Sequence, residues 1–349
     1  VTRLHAWSVI RGTIRTIPQL DADINTEGDM EIRGAVRNSA TYKIVHSTNY
    51  LYADTVAVCH NEVHLMPRDT YWQTCEHFRL SIKPHPDAVG KRDDYFGNHV
   101  QYFSIQEGHR RLSVTASSRV SVRARELPPV ELSPPWETVR DGLQTPFEGV
   151  RLDAVQFLFD SRSVISSPQL REYATPSFPA GRPILQAVEE LTNRIHTDFK
   201  YDPRATTVNT PLTEVLELRR GVCQDFAHLQ IGCLRSLGLP ARYVSGYLRT
   251  IPPSGKPRLI GADASHAWLS VYCNDWGWVD VDPTNDCFTN LDHVTVAWGR
   301  DYTDVCPING VFVGGGTHTM TVSVDVEPLA EEHDSNGIGI DDNSVASTM

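Results

Sequence analysis

From Tyr42 to Arg125 apolar and polar side chains alternate with a period of two, and at "ELPPVELSPPW" the alternation stops. Leu112, Val114, Ala116, Val120, Val122 and Ala124 take alternate positions, as do Phe78, Leu80 and Ile82, which is the pattern of half-buried antiparallel strands. "FGNHV" from Phe96 supplies a Gly-Asn turn between two of them. The proline run continues neither helix nor sheet, so a linker is expected at 126–135. Residues 42–125 therefore read as a β-sandwich, and residues 1–41 as an extension that adds little to the fold.

After Trp136 the period lengthens. Ile184, Val188, Leu191, Ile195 and Phe199 recur every three or four residues behind Pro183, which predicts a helix. "NTPLTEVLELRRG" predicts a second, with Thr210 as N-cap, Pro211 at the first position and Gly221 as the stop. A third follows at once, with Phe226, Ala227, Gln230, Ile231, Leu234 and Leu237 on one face and Gly238 and Pro240 ending it. The strand "ARYVSGYL" comes next. Helices grouped before strands indicate an α+β domain over 136–329, with "THTMTVSVDVEPL" from Thr317 as its last strand. Residues 330–349 are acidic and poor in large apolar groups, the composition of a disordered tail.

Composition narrows the function classes. A chain of 349 residues is long enough for two domains at roughly 100 to 200 residues each. The net charge of -11 opposes nucleic-acid binding, which needs cations to neutralise phosphate. No apolar run approaches the ~18 residues of a membrane helix, so no membrane partner is expected. The seven cysteines are odd in number and form no CxxC pair, which argues against a disulfide framework and a structural zinc site. His60, His64, His77, His85, His99 and His109 show no recurring ligand spacing; neither metal nor cofactor is expected. No secretory signal is read near the N-terminus, so the expected location is the cytoplasm.

Three segments carry the chemistry. In "RRGVCQDFAHLQIGCLRSLGLP", Cys223 falls at the first turn of the third helix, where free N–H groups and the helix dipole stabilise a thiolate. Gly221 permits a tight turn and close approach of a substrate backbone. On that segment alone a buried structural thiol fits as well. In "SHAWLSVY", His266, Trp268, Ser270 and Tyr272 share one face of a strand. In "WGWVDVDPTND", Trp278, Asp280 and Asp282 share a face, and Asp282 ends its strand before Pro283. For His266 and Asp282 to meet across an antiparallel pair, the connecting loop must hold an odd number of residues. With Asn274–Trp276 as the loop, Asp282 falls opposite Trp268, a diagonal step from His266.

"GVCQDFAHL", "SHAWLSVY" and "GWVDVDPTN" resemble the three sequence blocks of the transglutaminase-like superfamily of papain-type thiol enzymes. "LYADTVAVCHNEVHLMPR", "DYFGNHVQYF" and "GRDYTDVCPINGVFVGGG" extend the resemblance to its bacterial subgroup with an N-terminal β-sandwich, over about Tyr42 to Leu329. The resemblance implies a papain-like core of helices packed on an antiparallel sheet. It implies Cys223 as nucleophile, His266 as general base and acid, and Asp282, before Pro-Thr, as the orienting carboxylate. The calcium-binding loops of the animal transglutaminases are not found, so calcium dependence is not carried over.

The activity expected is a thiol protease or amidase working on a peptide or protein through an acyl-enzyme. Two alternatives stand beside it: acyl transfer from protein glutamine by the same triad, and a non-catalytic binding protein retaining the fold. Gly221, Gln224, Trp268, Tyr302 and Asp304 are the candidates for substrate contact, with packing and capping as competing roles for the last three.

Overall fold

The computed structural model describes residues 2–5, 37–143, 150–250 and 263–329. The strands are β1 (Thr2–His5), β2 (Ser39–Val63), β3 (Gln73–Lys83), β4 (Ala88–Asp93), β5 (His99–Ile105), β6 (His109–Arg123), β7 (Lys200–Tyr201), β8 (Arg220–Gly221), β9 (Ala241–Leu248), β10 (Ala264–Tyr272), β11 (Trp278–Asp282), β12 (Cys287–Phe288), β13 (His293–Gly299), β14 (Ile308–Gly314) and β15 (His318–Leu329). The α-helices are α1 (Trp136–Gly142), α2 (Val150–Val155), α3 (Pro168–Ala174), α4 (Ile184–Asp198), α5 (Leu212–Leu218) and α6 (Cys223–Ser236). The architecture is α+β, with an N-terminal antiparallel β domain ahead of helices packed on a second sheet.

Strands β1 to β6, with β14 and β15, form one eight-stranded sheet organised on β2. Tyr42, Ile44, Tyr50 and Tyr52 on β2 are buried with Leu112, Val114, Val120 and Val122 on β6, which is the period-two pattern realised as a core face. Pairing of β2 with β6 shifts register between Leu51 and Val56, and beyond that bulge β2 pairs with β5 and β14 instead. The turn at Phe96 is present. Gly97 there has φ +72°, while Asp94 Oδ1 accepts from the Phe96 and Asn98 amides at 2.8 Å each.

Three expectations need correction. The strand after Thr317 was assigned to the second domain, yet β15 pairs with β2 along its whole length, from His318 opposite Tyr52 to Leu329 opposite Thr41. Strand β14 joins the same sheet. The physical reason is that β2 is long and its edge donors and acceptors need partners, which chain-distant strands supply as well as near ones. Residues 1–41 are not all extension: β1 pairs with β14, and β2 already begins at Ser39. Residues 6–36 and 330–349 lie outside the described residues. Finally, α5 is preceded by Pro211 rather than capped by Thr210, whose hydroxyl instead accepts from the Thr207 amide at 2.8 Å. That helix stops at Arg219, in the left-handed region at φ 53°, two residues before Gly221. The Arg219 guanidinium lies 4.8 Å from both the Tyr173 and Phe199 ring centroids, contacts that help to hold the strained residue in place.

The second sheet runs in the order β12-β11-β10-β9-β13. Against it lies α6, whose residues from Cys223 to Arg235 are all buried, so it is a core helix rather than an amphipathic surface one. Its buried donors find partners: Gln230 Nε2 donates to Thr192 Oγ1 at 2.8 Å, and Arg235 Nη2 to the carbonyls of Ala241 and Arg300 at 2.9 and 2.6 Å.

Strand β13 is the edge of this sheet, and the N-terminal domain closes it with two side-chain amides. Gln73 accepts the Thr295 N–H and donates to the Thr295 carbonyl, both at 2.8 Å. Asn98 does the same for Trp298, at 2.9 and 2.8 Å. Each amide takes the place of a ladder partner where a bulge between Thr295 and Ala297 interrupts the strand. Gln73 Nε2 also reaches the Arg68 carbonyl at 2.7 Å. Replacing Gln73 with Leu leaves the Thr295 N–H unpaired in the domain seam and its carbonyl with the Arg68 amide alone, at 3.3 Å. We expect a loss of about 1–3 kcal/mol of stability, read from denaturant unfolding. Gln73→Glu, which keeps an acceptor but no donor, should be no better.

Candidate active site

Cys223 is the first residue of α6, after Val222 in extended conformation. Asp225 closes that turn from within, its Oδ2 accepting the Val222 amide at 2.8 Å and the Thr206 hydroxyl at 2.6 Å. This explains Gly221. A Cβ there would stand 2.7 Å from Asp225 Oδ2 and 2.8 Å from Asp225 Cβ, so the glycine makes room for the carboxylate. The packing requirement at Gly221 comes from Asp225.

The hairpin places the base and its carboxylate on one face. Leu269 lies opposite Val281 and Tyr272 opposite Trp278, so one step further puts Asp282 level with Trp268, as the parity argument requires. The turn is the short 3-10 segment Asn274–Trp276, closed by the Cys273 amide on the Gly277 carbonyl at 2.8 Å. His266 Nε2 lies 2.6 Å from Asp282 Oδ2. A carboxylate oxygen can only accept, so this nitrogen carries the proton. Cys223 is the other group that acts electrostatically on this imidazole.

Electrostatics follow from burial and pairing. Burial alone would lower the His266 pKa, but the charge and hydrogen bond of Asp282, then those of Cys223, outweigh it and raise the group to about 10. Burial pushes Asp282 upward, yet His266 and then His293 hold it well below the usual carboxylate range. Asp282 Oδ1 also accepts the Thr284 and Asn285 amides at 2.9 and 3.3 Å, the turn geometry that the Asp-Pro-Thr-Asn order allows.

Two partners of Asp282 went unread in the sequence. Asn285 Nδ2 donates to Oδ2 at 2.6 Å, and His293 Nε2 lies 3.2 Å from the same oxygen. His293 opens β13, which pairs with β9 and not with the hairpin, so no local spacing announces it. Together His266, Asp282 and His293 are a buried group whose possible ligand atoms lie within 4.8 Å of one another. Both imidazole nitrogens point N–H groups at a carboxylate oxygen, and Asn285 aims its amide hydrogens at that oxygen too. That donor set surrounds an anion and does not present lone pairs to a cation.

The remaining candidates go elsewhere. Trp268 is fully buried, donates its indole N–H to Asp280 Oδ2 at 3.2 Å and stands edge-on to His293 with centroids 5.3 Å apart. It backs the imidazoles of His266 and His293. Gly246 gives it space, because a Cβ there would lie 2.3 Å from the indole and 2.2 Å from the Val294 carbonyl oxygen. Asp280 is taken by Trp268 and the Ser270 hydroxyl, which leaves Asp282 as the carboxylate facing His266. Gln224 is buried beside Cys223 with its Oε1 unpaired. Tyr302 is buried, its hydroxyl 3.1 Å from Cys306 Sγ and its amide on His228 Nε2 at 3.0 Å. It lines a separate cavity of about 1010 Å³ at the domain seam, with Asn61, Phe103, Arg162, Thr210 and His228, a wall to which neither Cys223 nor His266 contributes. Asp304 is bound to Arg300 through both its carboxylate oxygens, at 2.9 Å each, and caps a turn.

With this geometry established, comparison with known proteins places the chain. Residues 42–121 match the bacterial transglutaminase-like N-terminal region and residues 172–283 the transglutaminase-like superfamily. Uncharacterized proteins of Mycobacterium tuberculosis and Mycobacterium bovis are 41% identical over 300 residues, covering 82% of this chain and 93% of theirs. A crystal structure of a Cytophaga hutchinsonii protein, provisionally assigned as a cysteine protease, superposes with a TM-score of 0.64 at 22% identity, over 85% of this chain and 93% of that one. A shorter match, 33% identical over 94 residues, covers 25% of this chain and 14% of a protein-glutamine gamma-glutamyltransferase of Pseudomonas aeruginosa. The chain belongs to the transglutaminase-like superfamily, in the form that carries the bacterial N-terminal β domain.

The raised His266 and depressed Asp282 make stability pH-dependent. The His266 contribution is complete below its ordinary pKa of 6.5 and fades as pH rises toward about 10; the Asp282 contribution is present above its ordinary 3.8 and fades in acid. Wild type should lose stability between pH 6.5 and 10 more steeply than Asp282→Asn, as read from denaturant midpoints across that range.

Proposed function

We propose that the chain is a cysteine hydrolase of peptide or other amide bonds, with Cys223, His266 and Asp282 as its catalytic set. The observation that carries this is the placement of one imidazole between a helix-terminal thiol and a fully buried carboxylate 2.6 Å away. Cys223 gives its proton to His266, and the thiolate attacks the substrate carbonyl to form a C–S bond. His266 returns that proton to the departing amine as the C–N bond breaks. Water then attacks the thioester, His266 taking its proton, and Cys223 leaves as thiolate. Asp282 keeps the ring oriented and offsets its charge throughout.

The second reading is acyl transfer, in which a primary amine replaces water in the last step. The match to a protein-glutamine gamma-glutamyltransferase favours it. Hydrolysis is placed first because water alone suffices to resolve a thioester. Among the described residues no helix is long and apolar enough to cross a membrane. All seven cysteines are free thiols, which suits a reducing compartment, so we place the reaction in the cytoplasm.

A thiol-directed electrophile followed by peptide mass spectrometry tests the set, together with glutaminyl and ordinary peptides supplied with and without a primary amine. Cys223 should be modified selectively below pH 7, and His266→Ala should slow that step by about 10²–10⁴-fold. Cys223→Ala should abolish turnover. Amine incorporation outpacing hydrolysis would move the assignment to transfer; equal labelling of all the thiols with no turnover would support a binding protein instead.

A further inference from the structure

We infer that His293 is a positioning residue that sets how much of the Asp282 charge His266 feels; this rests on the catalytic reading of Cys223, His266 and Asp282. Asp282 Oδ2 accepts from three directions, from His266 on β10 at 2.6 Å, from Asn285 in the following turn at 2.6 Å and from His293 on β13 at 3.2 Å. His293 is buried, and its ring is held on three sides. Trp268 stands edge-on to it at 5.3 Å, while its Nδ1 meets the Asn290 amide at 3.3 Å and the Asn290 side-chain oxygen at 3.1 Å. Whichever of these contacts Nδ1 uses, Nε2 faces a carboxylate and carries a hydrogen, so the donor to Asp282 persists in either protonation state.

A carboxylate oxygen shared among donors gives less to each. Removing the His293 donor therefore leaves more of the Asp282 charge for the His266 imidazolium and holds its proton to higher pH. Removal also releases one of the restraints on the carboxylate's rotation. The other ionisable groups nearby do not alter the sign. Cys287 on β12 is paired opposite Asp282, and its pKa is raised by burial, then by Asp282 and Asp286. Asp286 is bound by Asn193 of α4, and Asp292, beside His293, by Arg249 and the Tyr42 hydroxyl. Cys223 lies beyond His266 on α6. The device is non-local: the donor comes from the edge strand that the N-terminal domain grips through Gln73 and Asn98, so that domain contributes to holding the ring against Asp282.

The test is the pH profile of iodoacetamide alkylation, read at Cys223 by mass spectrometry, in wild type, His266→Ala, His293→Leu, His293→Asn and His293→Gln, with melting temperatures for each. The His266 inflection is the one that disappears in His266→Ala. It should move upward by about half a pH unit or more in His293→Leu, a threefold or greater change in proton affinity. His293→Gln, whose amide nitrogen takes the place of Nε2, should restore the wild-type profile. If His293→Leu does not fold, His293→Asn serves, because its amide ends short of Oδ2. A folded Leu or Asn variant superposing on wild type overturns the role of His293 and leaves the catalytic set intact. A wild type with no His266-dependent inflection overturns both.

Discussion

A carboxylate with no exposure to water is tolerable only if hydrogen bonds and opposite charge replace the water it has lost, and Asp282 is such a group. Its oxygens take donors from the turn that follows it, from His266 and from His293. The surrounding structure keeps those donors in place. His196 on α4 donates Nδ1–H to the Thr284 carbonyl at 3.0 Å, and Asn193 of the same helix holds Asp286 at 2.8 Å, so the turn is clamped from outside. Trp268 sits behind both imidazoles, and Gly246 exists as glycine because the indole crosses it. Breaking one partner away from such a carboxylate costs more than the bond itself, since a buried charge is left under-compensated. The catalytic geometry and the stability of this sheet are for that reason one problem.

The N-terminal domain takes part in that problem through β13. An edge strand presents unpaired N–H and carbonyl groups, and a bulge makes regular pairing with a neighbour harder. Gln73 and Asn98 meet the open groups with side-chain amides, which carry one donor and one acceptor in nearly the spacing of a peptide group. Arg68 stacks 3.6 Å over the Trp298 ring and donates to Asn98 Oδ1 at 2.6 Å, fixing the amide that fixes the strand. Arg242, from β9, lies 3.8 Å from the same ring on its way to Trp278 at 4.4 Å. Burial lowers this guanidinium to about 9, and Asp280 works against that shift. The two domains are thus joined by directional contacts rather than by an apolar face alone.

What the sequence made legible was local. Period two marks β2 and β6, period 3.6 marks α4 and α6, and parity states the condition, an odd turn such as Asn274–Trp276, under which His266 and Asp282 share a face; the hairpin meets it. What it hid was set by partners far along the chain. His318 lies opposite Tyr52, and His293 stands two strands away from the hairpin it serves. No spacing rule spans such gaps, because strand order beyond a hairpin depends on which edges find each other in three dimensions. The surroundings of Gly221 and Trp268 share this cause. Nothing local to Gly221 announces Asp225 folding back beneath it, and nothing local to Trp268 announces Asp280 and His293 on its two sides.

Cys223 retains only 3% of its surface and His266 6%, so the site is closed in this conformation. Closure and reactivity are compatible. Withdrawing the pair from water strengthens the interaction between imidazolium, thiol and carboxylate, which water would otherwise screen. Tyr201 stands beside the thiol. It is paired with Gly221 across β7 and β8, is 47% exposed, and its phenol is held above its ordinary pKa by burial and then by Cys223 and Asp225. Its ring rests edge-on against Phe226 with centroids 6.5 Å apart, on a strand of only two residues. Tyr201 is thus the partly exposed neighbour of a pair otherwise withdrawn from water.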